Sequence, residues 1–196
     1  MKVERQAAED YELVRAVQAG DEKAFEKLVK KYQRQIANIV YLTLGNRDDA
    51  DDVTQEVFIR AYRYLPRFTF DAPFFSWLYR VTMNLCFDET RKRKVKRILS
   101  LDFLTEEGIE EHLQEKQNIL PSDELIMEED RQVVRQALQR ISEEHRQILI
   151  LREYENYGYN EIAETLNISL EAVKSRLFRA RAEMRKLLQG YFKEQV

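Results

Sequence analysis

The stretch that decides the reading is Ser169 to Leu188, SLEAVKSRLFRARAEMRKLL. Wound as a helix, it places Val173, Leu177, Ala180, Met184, Leu187 and Leu188 on one stripe, at the three- and four-residue steps that bring side chains to a common face. That stripe is a core face. Lys174, Ser175, Phe178, Arg179, Ala182, Arg185 and Lys186 project from the opposite side, so an aromatic ring sits in the middle of a basic, solvent-facing surface. A merely solvated charged face has no need of a phenylalanine. A helix lying in a DNA groove can use one, because Lys and Arg reach phosphates and guanine edges while an apolar group meets a thymine methyl.

The residues just before this stretch strengthen the reading. Tyr159 to Leu166, YNEIAETL, puts Ile162, Ala163 and Leu166 on a short apolar face, and Asn167-Ile168-Ser169 supplies a turn in which Ser169 is suited to cap the next helix. A short helix, a tight turn and a basic second helix spell helix-turn-helix, with the second helix entering the major groove. The competing reading is a basic amphipathic helix that only packs or lies on a membrane.

A chain of 196 residues suits one domain or two small ones. Only five Gly and three Pro are present, too few turn residues for extended β structure, so the expected fold is all-α. No apolar run approaches the roughly 20 residues of a membrane span. The N-terminus, MKVERQAAEDYE, is too polar for a signal peptide, so the expected location is the cytoplasm. Cys86 is the single cysteine, which excludes an internal disulfide and a multi-cysteine zinc site; with only His112 and His145 beside it, no metal centre and no cofactor are expected. The net charge of −3 hides an uneven distribution. Ser169 to Leu188 and Asp88 to Arg97 each carry six basic and two acidic residues, whereas Asp102 to Asp130 carries eleven acidic residues against Lys116 alone. Two basic patches flank an acidic bridge.

Upstream, residues 10 to 44 predict two packing helices, with Leu13, Ala16 and Val17 leading to a break and cap at Gly20-Asp21, and Ala24, Phe25, Leu28, Val29, Tyr32, Ile36, Ile39 and Val40 following. Gly45-Asn46 ends that segment. Asp48-Asp49-Ala50-Asp51-Asp52 opens the next helix, its carboxylates lying where the positive end of the helix dipole favours them. Val53, Val57, Ala61 and Tyr64 form its inner stripe, and Asp51, Asp52, Gln55, Phe58, Ile59 and Tyr62 share a broad outer face. That mixed face either packs under neighbouring helices or docks a protein partner, with acidic residues ringing an apolar anchor. After Pro66 come Phe68, Phe70, Phe74, Phe75, Trp77 and Tyr79, interleaved with Arg67 and Arg80 and broken by Asp71-Ala72-Pro73. Trp77, with Leu78, Val81 and Leu85, fits a buried helix. Phe68 to Phe75 is either plain packing or a platform for unstacked bases. The helix continues to Arg91-Lys92-Arg93-Lys94, a run that is either a solvated face or, following the aromatic loop directly as it does, a track for a phosphate backbone. Periodicity fades from about Ile98 to Asp123, which reads as a linker with a transient turn of helix around Glu106 to Gln117. Val133, Val134, Ala137, Leu138 and Ile141 then make an amphipathic helix, and Ser142 caps the next, filled by Ile148, Leu149 and Leu151.

Four blocks now stand in order: AFEKLVKKY, DDADDVTQEVFIRAYRYLPRF, FFSWLYRVTMNLCFDETRKRK and YNEIAETLNISLEAVKSRLFRARAEMRKLL. Together they resemble the bacterial extracytoplasmic-function, or group IV, RNA polymerase sigma factors over nearly everything outside the linker. The resemblance implies two small helical domains joined by an extended acidic linker: a region-two domain at 8–97, a linker at 98–124 and a region-four domain at 125–192. It implies that a DxxQE helix, here Asp52, Gln55 and Glu56 with Phe58 and Ile59 adjoining, docks on the clamp coiled coil of core RNA polymerase, whose flap is a second contact. It implies that the following loop captures the separated non-template strand of the minus-10 element, with roles for Phe68, Phe70, Asp71, Phe74, Phe75 and Trp77, for Asn84, and for the basic Arg91 and Lys92. The recognition helix reads the minus-35 element in duplex form, which carries over to Lys174, Ser175, Arg176, Phe178 and Arg179. An anti-sigma factor is the expected regulator. Relatives often read FRGD where this chain has Phe68-Thr69-Phe70-Asp71, so an Arg and a Gly are both replaced. No appended C-terminal domain is expected after Leu188.

Two other functions fit parts of the chain. A DNA-binding regulator that works without polymerase accounts for the C-terminal half but leaves residues 48 to 80 unexplained. A metal enzyme built on Asp48, Asp49, Asp51 and Asp52 lacks a second aspartate motif to face the first.

Overall fold

The computed structural model describes residues 2–101 and 122–193, with side chains described for 7–95, 129–189 and 191. Most of the 98–124 linker, with the turn expected around Glu106 to Gln117, lies outside the described residues. Every regular element among the described residues is helical.

Helix α1, Lys2–Gln18, ends at Gly20, whose positive φ of 97° reverses the chain. The Asp21 carboxylate then caps α2, Glu22–Leu44, accepting from the Lys23 and Ala24 amides at 2.9 and 3.3 Å. Leu28, Tyr32, Ile36, Ile39 and Val40 make its buried stripe. Asn46 caps α3, Arg47–Tyr64, through the Asp48 amide at 2.9 Å, and Asp48 and Asp49 occupy the first turn. The inner stripe of α3 is Ala50, Val53, Val57 and Ala61, continued by Leu65 in a 3-10 turn over Leu65–Arg67. Tyr64 departs from the expected inner position and is 52% exposed. The steps 57, 61 and 65 stay on the core side, and Tyr64, about 100° away around the helix, points to solvent.

After Pro73 the chain enters α4, Phe74–Leu101, which runs into the stretch read as linker from 98. Phe74, Phe75, Leu78, Tyr79, Met83, Leu85, Cys86 and Phe87 are buried along it, while Trp77 is half-buried. The second group of helices begins with α5, Ser122–Arg140. Ser142 accepts from the His145 amide at 3.3 Å to cap α6, Glu143–Leu149, and a π turn follows over Ile150–Tyr154, closed by the Glu155 amide donating to the Ile150 carbonyl at 3.0 Å. Helices α7, Tyr159–Leu166, and α8, Leu170–Lys193, complete the chain.

The first four helices and the last four each bury an apolar stripe, and the two groups also pack on one another, α2 against α5 and α4 against α7. The Arg146 guanidinium, 4% exposed, donates to the Leu138, Gln139 and Ile141 carbonyls at the end of α5 and to the Thr43 carbonyl at the end of α2. It thereby satisfies C-terminal carbonyls of two helices from different domains. The Tyr79 hydroxyl donates to the Gln147 carbonyl at 2.8 Å, and the buried Ser76 and Thr165 hydroxyls meet at 2.8 Å. Gly45 adopts a left-handed φ of 77°, which favours glycine; a Cβ there would lie 1.6 Å from the side-chain amide of Gln139, the end of a flexible side chain that would have to move aside.

Candidate nucleic-acid interface

The helix-turn-helix is built by α7, the turn Asn167 to Ser169, and α8. Gly158 opens α7 with its amide donating to the Glu161 carboxylate at 2.7 Å. Asn167 takes a left-handed φ of 53°, a conformation asparagine tolerates, and the Ile168 amide donates back to the Ala163 carbonyl at 3.0 Å. Ser169 caps α8 by accepting from the Ala172 amide at 3.2 Å. Val173, Leu177 and Ala180 are buried, with Met184 and Leu187 packed at the margin of the core and Leu188 half-buried. Lys174, Ser175, Phe178 and Arg179 share the exposed side, where Phe178 is 76% exposed and Arg179 donates to the Ser175 hydroxyl at 2.6 Å. Arg176 is half-buried and paired with Glu144 at 3.2 Å, which holds it toward α6. Arg181 is tied to Glu153 at 2.7 Å, and that bond raises its pKa further. The outward cations around Phe178 are thus Lys174 and Arg179.

On α3, Asp52, Gln55 and Ile59 are exposed, Ile59 by 46%, and Tyr62 extends the same face beside Phe25, the two rings 4.9 Å apart. Glu56 pairs with Arg60 at 2.9 Å. Phe58 is half-buried and packs against the core, so the apolar part of this face is chiefly Ile59 and Tyr62.

The aromatic segment divides. Phe68, Phe74 and Phe75 are buried, with Phe74 and Phe75 flanking the Tyr32 ring at 5.7 and 5.5 Å. As they lie here, these three offer no open face to a base. Phe75 also meets Tyr157 across the domain contact at 5.8 Å. Trp77 and Phe70 keep partial exposure, and Asp71 is exposed and accepts from the Thr69 hydroxyl at 2.5 Å. Phe70 adopts φ 61°. Asn84 is exposed on α4. Arg91 and Lys92 are exposed but not idle, Arg91 pairing with Glu143 at 2.7 Å and Asp88 at 3.6 Å, Lys92 with Glu89 at 3.7 Å.

An apolar groove of about 790 Å3 opens between α5, the π turn and α8, lined by Val134, Leu138, Leu149, Tyr154 and Met184, with the Glu153–Arg181 pair on its rim. The residues that sequence reasoning missed are Arg146 and the α1 residues that hold the aromatic loop. Arg146 reads as a surface residue in EEHRQIL, and its only signal is a position just after a helix cap. Burial pushes the Cys86 thiol up to about 12, so it stays protonated and unreactive. Among the described residues, no group of three or more His, Cys, Asp or Glu side chains is arranged to hold a metal ion, and no helix is long and apolar enough to cross a membrane.

The Sigma-70 region 2 family model matches residues 28–95, and the Sigma-70, region 4 model matches residues 131–184. The chain is 33% identical to the ECF RNA polymerase sigma factor SigW of Bacillus subtilis, over 89% of this chain and 94% of that one. It is 37% identical to the ECF RNA polymerase sigma-E factor of Escherichia coli, over 88% and 90%. Among solved structures, CnrH in complex with the cytosolic domain of CnrY shares the fold with a TM-score of 0.66 at 24% identity, covering 93% of this chain and 98% of that one. The sigma factor RpoE bound to the anti-sigma factor NepR from Bartonella quintana gives a TM-score of 0.61 at 21% identity, covering 85% and 98%.

Proposed function

The chain belongs to the extracytoplasmic-function family of RNA polymerase sigma factors, and on that premise we propose how its surfaces divide the work of initiating transcription. The observation that carries the reading is Phe178, an aromatic ring standing free on the exposed face of a helix-turn-helix recognition helix between Lys174 and Arg179. That face reads the minus-35 element in the major groove, Lys174 and Arg179 to phosphates or guanine edges and Phe178 to a thymine methyl. The exposed face of α3, Asp52 and Gln55 with Ile59 and Tyr62, docks on the polymerase clamp. The segment from Phe68 to Trp77, with Asn84, meets the separated non-template strand. Phe70 and Trp77 are its partly exposed rings, and Phe68, Phe74 and Phe75 reach a base only after the segment moves.

The protein acts in the cytoplasm and catalyses no reaction of its own; opening is driven by binding energy. Stacking worth about 1–3 kcal/mol per base, with capture of a flipped base, offsets unpairing of a short step. The apolar groove beside α8 has the dimensions and lining of a seat for an amphipathic helix, from the polymerase flap or from an anti-sigma factor. The experiment is transcription by purified core polymerase with and without this protein. Protein-dependent starts support the reading, and a protein that retards operator DNA alone yet never binds core overturns it.

A further inference from the structure

Tyr11, Arg15 and Gln18 recur at helical spacing, so they form one stripe on α1, and all three close on the aromatic loop. The Gln18 side-chain amide donates to the Leu65 and Phe68 carbonyls, both at 3.0 Å. The Tyr11 ring meets the Phe70 ring edge-on at 5.3 Å, and the Arg15 guanidinium lies over the Phe70 ring at 5.3 Å. Phe70 itself sits at φ 61°, a backbone conformation costly for a bulky residue and held only where its surroundings over-determine it. Phe68, 5.1 Å away, supplies the remaining wall. These contacts tie the loop to α1.

We infer that α1 belongs to the strand-reading site: Tyr11 and Gln18 position the loop, and Arg15 contacts a backbone phosphate of the single-stranded DNA that the loop engages. This rests on the reading that the loop captures the non-template strand. Arg15 is exposed, and among the described residues it has no carboxylate partner, whereas Arg91, Arg93, Arg176 and Arg181 are each paired with one. A guanidinium over a ring uses its face, and its N–H donors stay in its own plane, where a phosphate accepts two of them.

The test uses holoenzyme assembled from the full chain and core polymerase, and a fluorescent single-stranded oligonucleotide carrying the non-template minus-10 sequence of a promoter mapped by transcription. Anisotropy gives the affinity across a salt series for wild type, Arg15→Gln and Arg15→Lys, with a scrambled oligonucleotide as control. Loss of one phosphate contact lowers the magnitude of the log–log salt slope by about 0.7. Arg15→Gln is expected to show that change and to bind roughly three- to tenfold more weakly near 0.1 M salt, with Arg15→Lys recovering the slope and core affinity equal in all three. An unchanged slope and affinity in Arg15→Gln, while wild type still prefers the specific strand, overturns the inference alone and leaves Arg15 as a brace for Phe70. A wild-type holoenzyme that binds specific and scrambled strands equally overturns strand capture, and the inference with it.

Discussion

Phe178 carries almost no packing, since its ring is mostly in solvent while Val173, Leu177 and Ala180 on the other side of α8 are buried. Phe178→Ala should therefore leave stability within about 0.5 kcal/mol of wild type. Holoenzyme affinity for a minus-35 duplex should fall roughly tenfold or more, the scale of one base contact at about 1–3 kcal/mol. Lys174→Ala should weaken binding in the same way, with core affinity unchanged in both; a fall in core affinity instead would count against the assignment of this face to DNA. Glu155 makes a different kind of prediction. Burial raises its carboxyl above the ordinary 4.5, and a hydrogen bond from Gln35 works against that shift. A group raised in the native state favours the fold while protonated, so its contribution is complete below the unfolded value and is lost as pH rises through the native one. Glu155→Gln keeps the acceptor for Gln35 without the charge. It should raise the melting temperature at pH 7.5, and the gain should shrink as the buffer is acidified; a gain independent of pH would show that burial of the charge is not its cause.

At the scale of elements, α3 and α8 were legible because each carries a hydrophobic stripe of helical period with large apolar residues on the wrong side of it. The caps at Asp21, Ser142 and Ser169 followed from side chains that satisfy orphan amides, and the structure places each of them on such an amide; Asn46, read only as the end of the preceding segment, proves to cap α3 in the same way. What the sequence did not carry is which aromatics face inward. Six rings within Phe68 to Tyr79 are more than a platform needs, and periodicity cannot divide them across a loop whose path is set by α1 and α2. Packing decides it: Tyr32 on α2 draws in Phe74 and Phe75, and α1 draws in Phe68 and Phe70. The docking helix follows the same logic. Ile59 is exposed and Phe58 is partly core, so Gln55→Ala with Ile59→Ala should reduce core affinity by at least about tenfold, a hot-spot scale of 1–2 kcal/mol, at little cost to folding. Phe58→Ala should lower stability as well. If the Gln55 and Ile59 double variant binds core as wild type does, this face is not the docking surface.

Across the whole molecule, the contact between the two domains is polar and specific, and no sequence pattern announces it. Arg146 reads as one more cation in a helix, yet it joins carbonyls at the ends of α2 and α5 and is buried to do so. Burial lowers its pKa, against the pull of Glu143, but a guanidinium remains charged at neutral pH. Arg146→Met keeps much of the volume and removes every donor, leaving buried carbonyls unpaired. Denaturant unfolding should show a loss of roughly 2–4 kcal/mol, and small-angle scattering should show a larger radius of gyration as the domains part. A variant as stable and compact as wild type would mean that the apolar contacts alone hold the domains together.

The central claim, that this chain gives core polymerase its promoters, is tested most directly by transcription with purified core polymerase on pooled fragments of the host genome, with and without the protein, mapping RNA 5′ ends. The account predicts new starts that appear only with the protein and share two upstream motifs at a fixed spacing, lost for the upstream motif's promoters when Phe178 is replaced. Core polymerase that binds the protein yet makes no new starts, or starts with no shared motif, would contradict it.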